Sequence, residues 1–363
     1  MKYFVIAGES SGDLHGANLI KQIKLQDEKA EFFGCGGTLM QAQNCQLVLH
    51  INQMDFMGFW EVVKHLKTIR QNFKTVSEAI KNFNPDVVIL IDYPGFNLRL
   101  LKQLKGQYKT VYYISPQLWA WKASRVENIK KYVDLMLVIL PFEKAFYQQY
   151  NYQVHYVGHP LIDAIQAFKQ TKQQTESVEK HIVLMPGSRK QEIERMLPIY
   201  CQVAKNFEQQ KFVIAGLHKF PDSYYQHYNL PTNVKLVKGQ TYNLLKNAKA
   251  ALVTSGTATL ETALFNVPQV VCYKTSGLSY FIGKRLVKVK YVSLVNLIAN
   301  KLVVQELLQQ NSNKKTITDE LEKLLNNHDY INEMKANYTQ LCKILGGEGA
   351  SQRAAIKIKE MII

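Results

Sequence analysis

The sequence has no run of 18 uninterrupted apolar residues, so no membrane-spanning helix is expected. Cysteine is sparse and scattered: Cys35, Cys45, Cys201, Cys272 and Cys342 form no Cys-x-x-Cys. This argues against a disulfide or zinc framework and for a reducing compartment. The opening MKYFVIAGESSGD turns polar too soon for a signal peptide and reads as a strand start, which points to the cytoplasm. Two fingerprints are missing: there is no G-x-G-x-x-G and no P-loop, which argues against a dinucleotide fold and an ATPase. Ser255 sits in Thr-Ser-Gly-Thr rather than in a G-x-S-x-G, which argues against a hydrolase elbow there. Acidic side chains are also few: Asp+Glu 29 stand against Lys+Arg 45, a formal charge of +16. Such a balance suits an anionic partner, whether nucleic acid, an anionic membrane surface or a phosphorylated substrate; a solvated basic surface is the plain alternative. No nucleic-acid-binding module is found, so no nucleic acid partner is expected.

What the chain does have is alternation. Its 363 residues are long for one core, and two domains are expected. Short apolar runs alternate with amphipathic stretches, the mark of parallel α/β sheets. Strands are expected near 2–7, 31–34, 87–91, 110–114 and 135–139, with helices at 14–25, 58–81, 97–105, 124–131 and 142–149. The segment 167–180, AFKQTKQQTESVEK, reads as a linker or exposed helix end. The pattern then restarts: 181–189 reads as strand into Gly turn, 211–216, 233–237, 250–256 and 268–274 read as further strands, and the end of the chain from about 316 reads as helical. In such sheets ligands bind at the carboxyl ends of the strands.

Five stretches carry chemistry. In GESSGDLHGA (8–17), Ser10, Ser11 and Asp13 stand at a helix start, where they either cap the helix or help hold an anion. In VVILIDYPGFN, Asp92 follows a buried strand and is placed to act as a general base on a hydroxyl; a turn or cap residue is the alternative. In SPQLWAWKASR, Trp119, Trp121, Lys122 and Arg125 suit phosphate or sugar contacts, or plain aromatic packing. In MPGSRKQE, Gly187 turns the chain, Ser188 resembles an N-cap, and Arg189 suits a diphosphate, or is a surface arginine. In LVTSGTATLE, Ser255, Gly256 and Thr257 present N–H and hydroxyl groups at a helix N-terminus, a phosphate cradle, with Glu261 one turn in to accept ribose hydroxyls. No Asp-x-Asp occurs to hold a metal on a diphosphate, so metal-independent chemistry without a cofactor is expected. A sixth stretch, 54–73, is amphipathic: Phe59, Val62, Val63, Leu66 and Ile69 share one face, with Phe56, Met57 and Trp60 as apolar extras and Lys64, Lys67 and Arg70 elsewhere. It suits lipid contact, or a core helix with a solvated face.

Together and in this order, these stretches resemble the lipid-A-disaccharide synthase family. GESSGDLHGA resembles its Gly-Glu-x-Ser-Gly-Asp turn, FFGCGGTLM its Gly-Gly-x-x-Met segment and MGFWEVV its Met-Gly-x-x-Glu-Val helix. IDYPGFN, SPQLWAW, VGHPL, MPGSR, SGTATLE and YVSLVNLIA are similar too. The resemblance implies a GT-B α/β fold, two Rossmann-like parallel-sheet domains facing across a cleft. It implies an acceptor- and membrane-facing domain over 1–166, a UDP-sugar domain over 167–340, and a C-terminal helix over 341–363 that packs back or is exchanged in a homodimer. The implied reaction moves 2,3-diacylglucosamine from UDP onto 2,3-diacylglucosamine 1-phosphate (lipid X), with inversion, at the cytoplasmic face of the inner membrane. Asp92 then matches the general base. Gly187, Ser188, Arg189, Ser255, Gly256, Thr257, Glu261 and Asn296 fall on the UDP side. Ser10, Ser11, Asp13, Met57, Glu61, Trp119 and Arg125 fall on the acceptor and lipid side. The chain departs from the pattern at Gly95, where many members have a second Asp, and after Asn296, where IANKLVVQELL lacks the common Ala-Gly-Arg-Glu. Competing readings are another GT-B enzyme, such as a peptidoglycan glucosaminyltransferase or a UDP-GlcNAc 2-epimerase, and a basic nucleic-acid-binding protein.

Overall fold

The computed structural model describes residues 1–54, 65–170, 179–275, 277 and 289–362. VVILI and HIVLM are buried at every position. Strands with no solvent-facing side belong inside parallel sheets covered by helices on both faces. Two compact units result, one of Met1–Asp163 with Gly347–Ile363 and the other of Ala164–Gly346.

The first unit runs β1 (Lys2–Ala7), α1 (Ser10–Lys24), β2 (Glu31–Gly36), α2 (Thr38–Ala42), β3 (Gln46–His50), α3 (Leu66–Phe83) and β4 (Val87–Ile91). It continues through α4 (Pro94–Leu104), β5 (Lys109–Tyr113), α5 (Val126–Tyr132), β6 (Leu135–Val138), α6 (Pro141–Gln148), β7 (His155–Tyr156) and the start of α7 (Pro160–Gln170). The sheet order is β3-β2-β1-β4-β5-β6-β7, parallel throughout. β1 therefore has β2 on one side and β4 on the other, and the chain reverses its direction of travel across the sheet there. That gap is the topological switch point, where the loops after the two strands diverge and leave a crevice.

The second unit holds β8 (His181–Met185), α8 (Lys190–Ala204), β9 (Phe212–Gly216), α9 (Asp222–Gln226), β10 (Val234–Lys238), α10 (Thr241–Lys246), β11 (Ala248–Thr254) and α11 (Thr257–Leu264). β12 (Gln269–Tyr273), α12 (Leu294–Ala299), β13 (Glu306–Leu308), α13 (Lys314–Asn326) and α14 (His328–Leu345) complete it. Its parallel order is β10-β9-β8-β11-β12-β13, with the switch point between β8 and β11. Both sheets are Rossmann-like, as expected.

A last helix, α15 (Ala350–Ile362), belongs to the first unit and packs on α1. The Asp163 carboxylate accepts the N–H groups of Gly349, Ala350 and Ser351 at 2.7, 3.4 and 3.0 Å. These are orphan donors at a helix start, and a carboxylate there also meets the positive end of the helix dipole. Arg353 Nε donates to the Val157 carbonyl at 2.8 Å. Beneath this joint His15 and His159 are both buried, and desolvation holds them neutral, down to about 4 and about 3.

Some elements differ from expectation. α1 begins at Ser10 rather than residue 14, because Asp13 N–H already bonds the Glu9 carbonyl. β3 was not expected at all. α7 runs through Gln170, so the linker's first residues are helical, while 171–178 lie outside the described residues. The amphipathic stretch is helical from Leu66 onward; Phe56, Met57, Phe59, Trp60, Glu61, Val62, Val63 and Lys64 lie outside the described residues. No helix among the described residues is long and apolar enough to cross a membrane.

Candidate active site

Asp92 sits at the end of β4, beside the end of β1, where Ala7 pairs with Ile91. It therefore stands at the first sheet's switch point. Asp92 and Tyr93 are both left-handed, at φ +43° and +46°. Pro94 then opens α4 at its first turn, where the missing N–H has no partner to lose. Gly8, the first residue after β1, lies under the Tyr93 ring. A Cβ there would fall 2.4 Å from the ring carbons, so only glycine admits this approach. The Asp92 carboxyl is pushed up to about 7, by desolvation first and by the nearby Glu9 carboxylate second. A carboxyl poised there is half ionised near neutral pH, as a general base requires.

The other acceptor-side residues divide. Ser10 and Ser11 are exposed in the first turn of α1. Asp13 is buried, and its carboxylate accepts from the N–H groups of Gly37, Leu39 and Met40 at 2.7, 3.1 and 3.0 Å. It fastens α2 to α1. Trp119 is half-buried, edge-on to Phe142, with its indole N–H turned to Glu143 at 3.3 Å. Arg125 is half-buried near the exposed Trp121, with Lys122 Nζ 4.2 Å and its own guanidinium 5.9 Å from the Trp121 ring. Met57 and Glu61 lie outside the described residues.

Glu143 escaped the sequence reading. It is fully buried, takes the N–H groups of Ile139 and Leu140 at 3.2 and 2.9 Å, and desolvation pushes it up to about 8. Pro141 followed two residues later by Glu143 is a helix-start signature, and it was there to be read.

In the second unit, Val253 pairs with Met185, so the turns after β8 and β11 stand side by side at the switch point. Gly187 adopts φ +120°, and a Cβ there would meet Glu192 at 2.5 Å. The helix cap is Arg189 rather than Ser188: Glu192 reaches back to the N–H groups of Ser188 and Arg189 at 2.9 and 3.1 Å. Those two amides are therefore engaged, and what the turn offers outward is the Arg189 guanidinium, half exposed and 3.4 Å from Glu192. Ser255 is similarly engaged. Its N–H donates to the Cys272 carbonyl at 2.9 Å and its hydroxyl to the Val292 carbonyl at 3.4 Å. The cradle narrows to the exposed Gly256 and Thr257 at the start of α11.

Glu261, one turn in, is raised by desolvation and receives the Tyr242 hydroxyl at 3.2 Å. Tyr242 in turn packs against Phe168 and Phe265, at ring distances of 5.4 and 5.2 Å. The Asn296 amide is buried and saturated: Nδ2 donates to the Val304 carbonyl and to Glu306, both at 2.8 Å, and Oδ1 accepts from the N–H groups of Val303 and Val304 at 2.8 and 2.9 Å. With all four positions filled, the side-chain amide ties the chain into β13.

The comparisons agree with the motif order. The profile of the lipid-A-disaccharide synthetase family matches residues 3–361. A lipid-A-disaccharide synthase of Trichlorobacter lovleyi is 36% identical, covering 99% of this chain and 97% of its own length. One from Legionella pneumophila is 38% identical, covering 96% and 93%. At the level of fold alone, the chain is similar to a UDP-GlcNAc 2-epimerase of Neisseria meningitidis bound to UDP-GlcNAc, with TM-score 0.71, 15% identity and coverage of 99% and 100%. It is similar also to a calicheamicin glycosyltransferase, with TM-score 0.58, 15% identity and coverage of 99% and 98%. The sequence relatives span the whole chain well above the level of shared fold, and the chain belongs to the lipid-A-disaccharide synthase family, glycosyltransferases of lipid A biosynthesis.

Proposed function

We propose that this chain transfers 2,3-diacylglucosamine from its UDP ester to the 6'-hydroxyl of 2,3-diacylglucosamine 1-phosphate, with inversion, releasing UDP. The observation that carries the reading is a carboxyl held up at about 7 at a sheet's switch point, in a chain of this family. Asp92 takes the proton of the attacking hydroxyl as the new glycosidic bond forms and the bond to the UDP oxygen breaks. Arg189 meets the charge that develops on the departing diphosphate, Gly256 and Thr257 present a helix start to it, and Glu261 accepts the ribose hydroxyls. Ser10, Ser11 and Arg125 serve the acceptor side. The excess of basic residues and the 54–73 stretch support peripheral attachment to the cytoplasmic face of an anionic membrane. The reading also includes a homodimer.

The test is an assay of the purified protein with both acylated substrates in EDTA, scored for the disaccharide phosphate. Absence of product overturns the reading, and epimerisation of UDP-GlcNAc supplied alone replaces it with the epimerase alternative. Asp92→Asn should lower turnover by about 10²–10⁴ with the fold intact, the usual worth of a general base. Arg189→Ala should weaken UDP binding by calorimetry, and unchanged affinity removes the diphosphate role.

A further inference from the structure

We propose that Tyr112 and Asn97 are positioning residues for Asp92: together they grip its main-chain carbonyl, hold residues 92 and 93 in the left-handed conformation, and so aim the carboxyl into the switch-point crevice. The inference deepens the general-base reading of Asp92 and rests on it for its catalytic consequence.

Consecutive left-handed residues that are not glycine are strained, and such strain persists only where the surroundings over-determine it. Eleven non-glycine residues with positive φ occur among the described residues, and six of them are asparagines: Asn44, Asn84, Asn151, Asn229, Asn266 and Asn300. Asparagine tolerates this region through its short polar side chain. At 92–93 the chain instead keeps an aspartate and a tyrosine.

The compensation is visible bond by bond. Asp92 N–H donates to the Tyr113 carbonyl on β5 at 3.0 Å. The Asp92 carbonyl has turned out of the ladder and accepts two side-chain donors, the Tyr112 hydroxyl at 2.6 Å and Asn97 Nδ2 at 2.8 Å. Both of its lone pairs are thereby filled. Both donors are completely buried, Tyr112 within the core of the first unit and Asn97 in the first turns of α4. Asn97 Nδ2 also reaches the Ile91 carbonyl at 3.4 Å, which fastens the strand end itself. The Tyr93 hydroxyl, donating to the Met54 carbonyl at 2.6 Å, holds the second strained residue from the other side. Losing either donor leaves a buried carbonyl under-satisfied and lets the turn relax toward an ordinary conformation. The carboxyl then swings away from the place where burial and Glu9 act on it.

Tyr112→Phe removes one oxygen and keeps the ring; Asn97→Leu removes both amide functions at nearly constant volume. Each single variant should lower kcat about three- to tenfold, the worth of one net hydrogen bond, and the double variant further, with KM for both substrates unchanged. The acidic limb of kcat should move to lower pH, because a relaxed carboxyl sees more water. Independently of any substrate, the Asp92 carboxyl carbon can be followed by NMR in protein made with carbon-13 aspartate and assigned by its loss in Asp92→Asn. Its midpoint near 7 should fall toward the ordinary 3.8 in Tyr112→Phe. Wild-type kcat and an unmoved midpoint overturn the inference, as does a joint loss of kcat and substrate affinity with the midpoint unmoved. Should Asn97→Leu fail to fold, Tyr112→Phe decides alone. If Asp92→Asn keeps full turnover, the base reading fails by itself, and the NMR titration still decides whether Tyr112 positions the carboxyl.

Discussion

Replacing Gly8 with alanine should damage the first unit from a single methyl group. The new Cβ would lie 2.4 Å from Cγ and Cδ1 of Tyr93 and 2.6 Å from Cδ2. Ordinary contact begins near 3.4 Å, so the ring must withdraw by about 1 Å. It has little freedom to do so. Its hydroxyl is tied to the Met54 carbonyl at 2.6 Å, its face stacks on Phe96 at 5.7 Å, and its backbone is strained and followed by proline. Overpacking of this kind costs about 1–3 kcal/mol, and losing the Met54 bond adds about 0.5–1.5 kcal/mol. The expected destabilisation is about 2–4 kcal/mol. All three tryptophans, Trp60, Trp119 and Trp121, lie in the first unit's stretch of sequence, so indole fluorescence in a urea titration reports that unit selectively. The midpoint should fall and turnover should fall with it. Adding Tyr93→Ala relieves the clash, so the double variant should lose less than the sum of the two singles. An unchanged midpoint and turnover in Gly8→Ala, or strict additivity, would refute the close approach as a constraint.

Three further outcomes are expected. His15 and His159, held down to about 4 and about 3 when folded, bind protons more readily when unfolded. Stability should therefore be full above the ordinary 6.5 and fall as the pH drops from there toward 4, by a few kcal/mol; a melting temperature equal at pH 7 and pH 5 would contradict this. Glu143 is the reverse case, raised from 4.5 to about 8, so its contribution is present at acid pH and lost as pH rises through 8. Glu143→Gln should melt near wild type at pH 4 and above it at pH 9, whereas Glu143→Ala, which strands two buried N–H groups and the Trp119 indole, should lose about 2–4 kcal/mol at pH 4. Asp163→Asn should cost about 1–2 kcal/mol through the weakened start of α15 and speed proteolytic release of the C-terminal segment; an unchanged cleavage rate would show that the cap contributes little.

Much of the fold was legible because parallel strands announce themselves: KYFVIA, VVILI and HIVLM are apolar runs too short for helices and bounded by turn residues. QLVLH is less legible because its three apolar residues are flanked by Gln46 and His50, a mixed edge strand with one buried residue. The candidate sites were legible as turns after strands, but not as neighbours. That Asp92 stands beside Gly8, and Gly187 beside Ser255, follows from strand order, which depends on contacts spanning dozens of residues. Separation in sequence also hid the hydrogen bonds of Asp13 and, over a shorter span, those of Asn296. Each looks like an exposed polar residue until its partners, 24 to 27 residues away for Asp13 and 7 to 10 for Asn296, are known. Glu192 shows the converse: its capping role is local, and Glu three residues after Arg189 already pointed to it.

The first unit is not contiguous. Its chain leaves at Asp163 and comes back at Gly347, with all of the second unit in between. On a ribosome this imposes a schedule. At the usual pace of about 5–20 residues per second, the seven-stranded sheet waits about 10–40 s for the helix that covers α1, while the second unit emerges whole and can fold at once. During that interval the buried His15, Gly16 and Ala17 face stands open to water and to other chains. A helix made only after the whole second unit is the one that seals the first, so loss of residues 347–363 would injure a unit most of whose chain lies far from them in sequence.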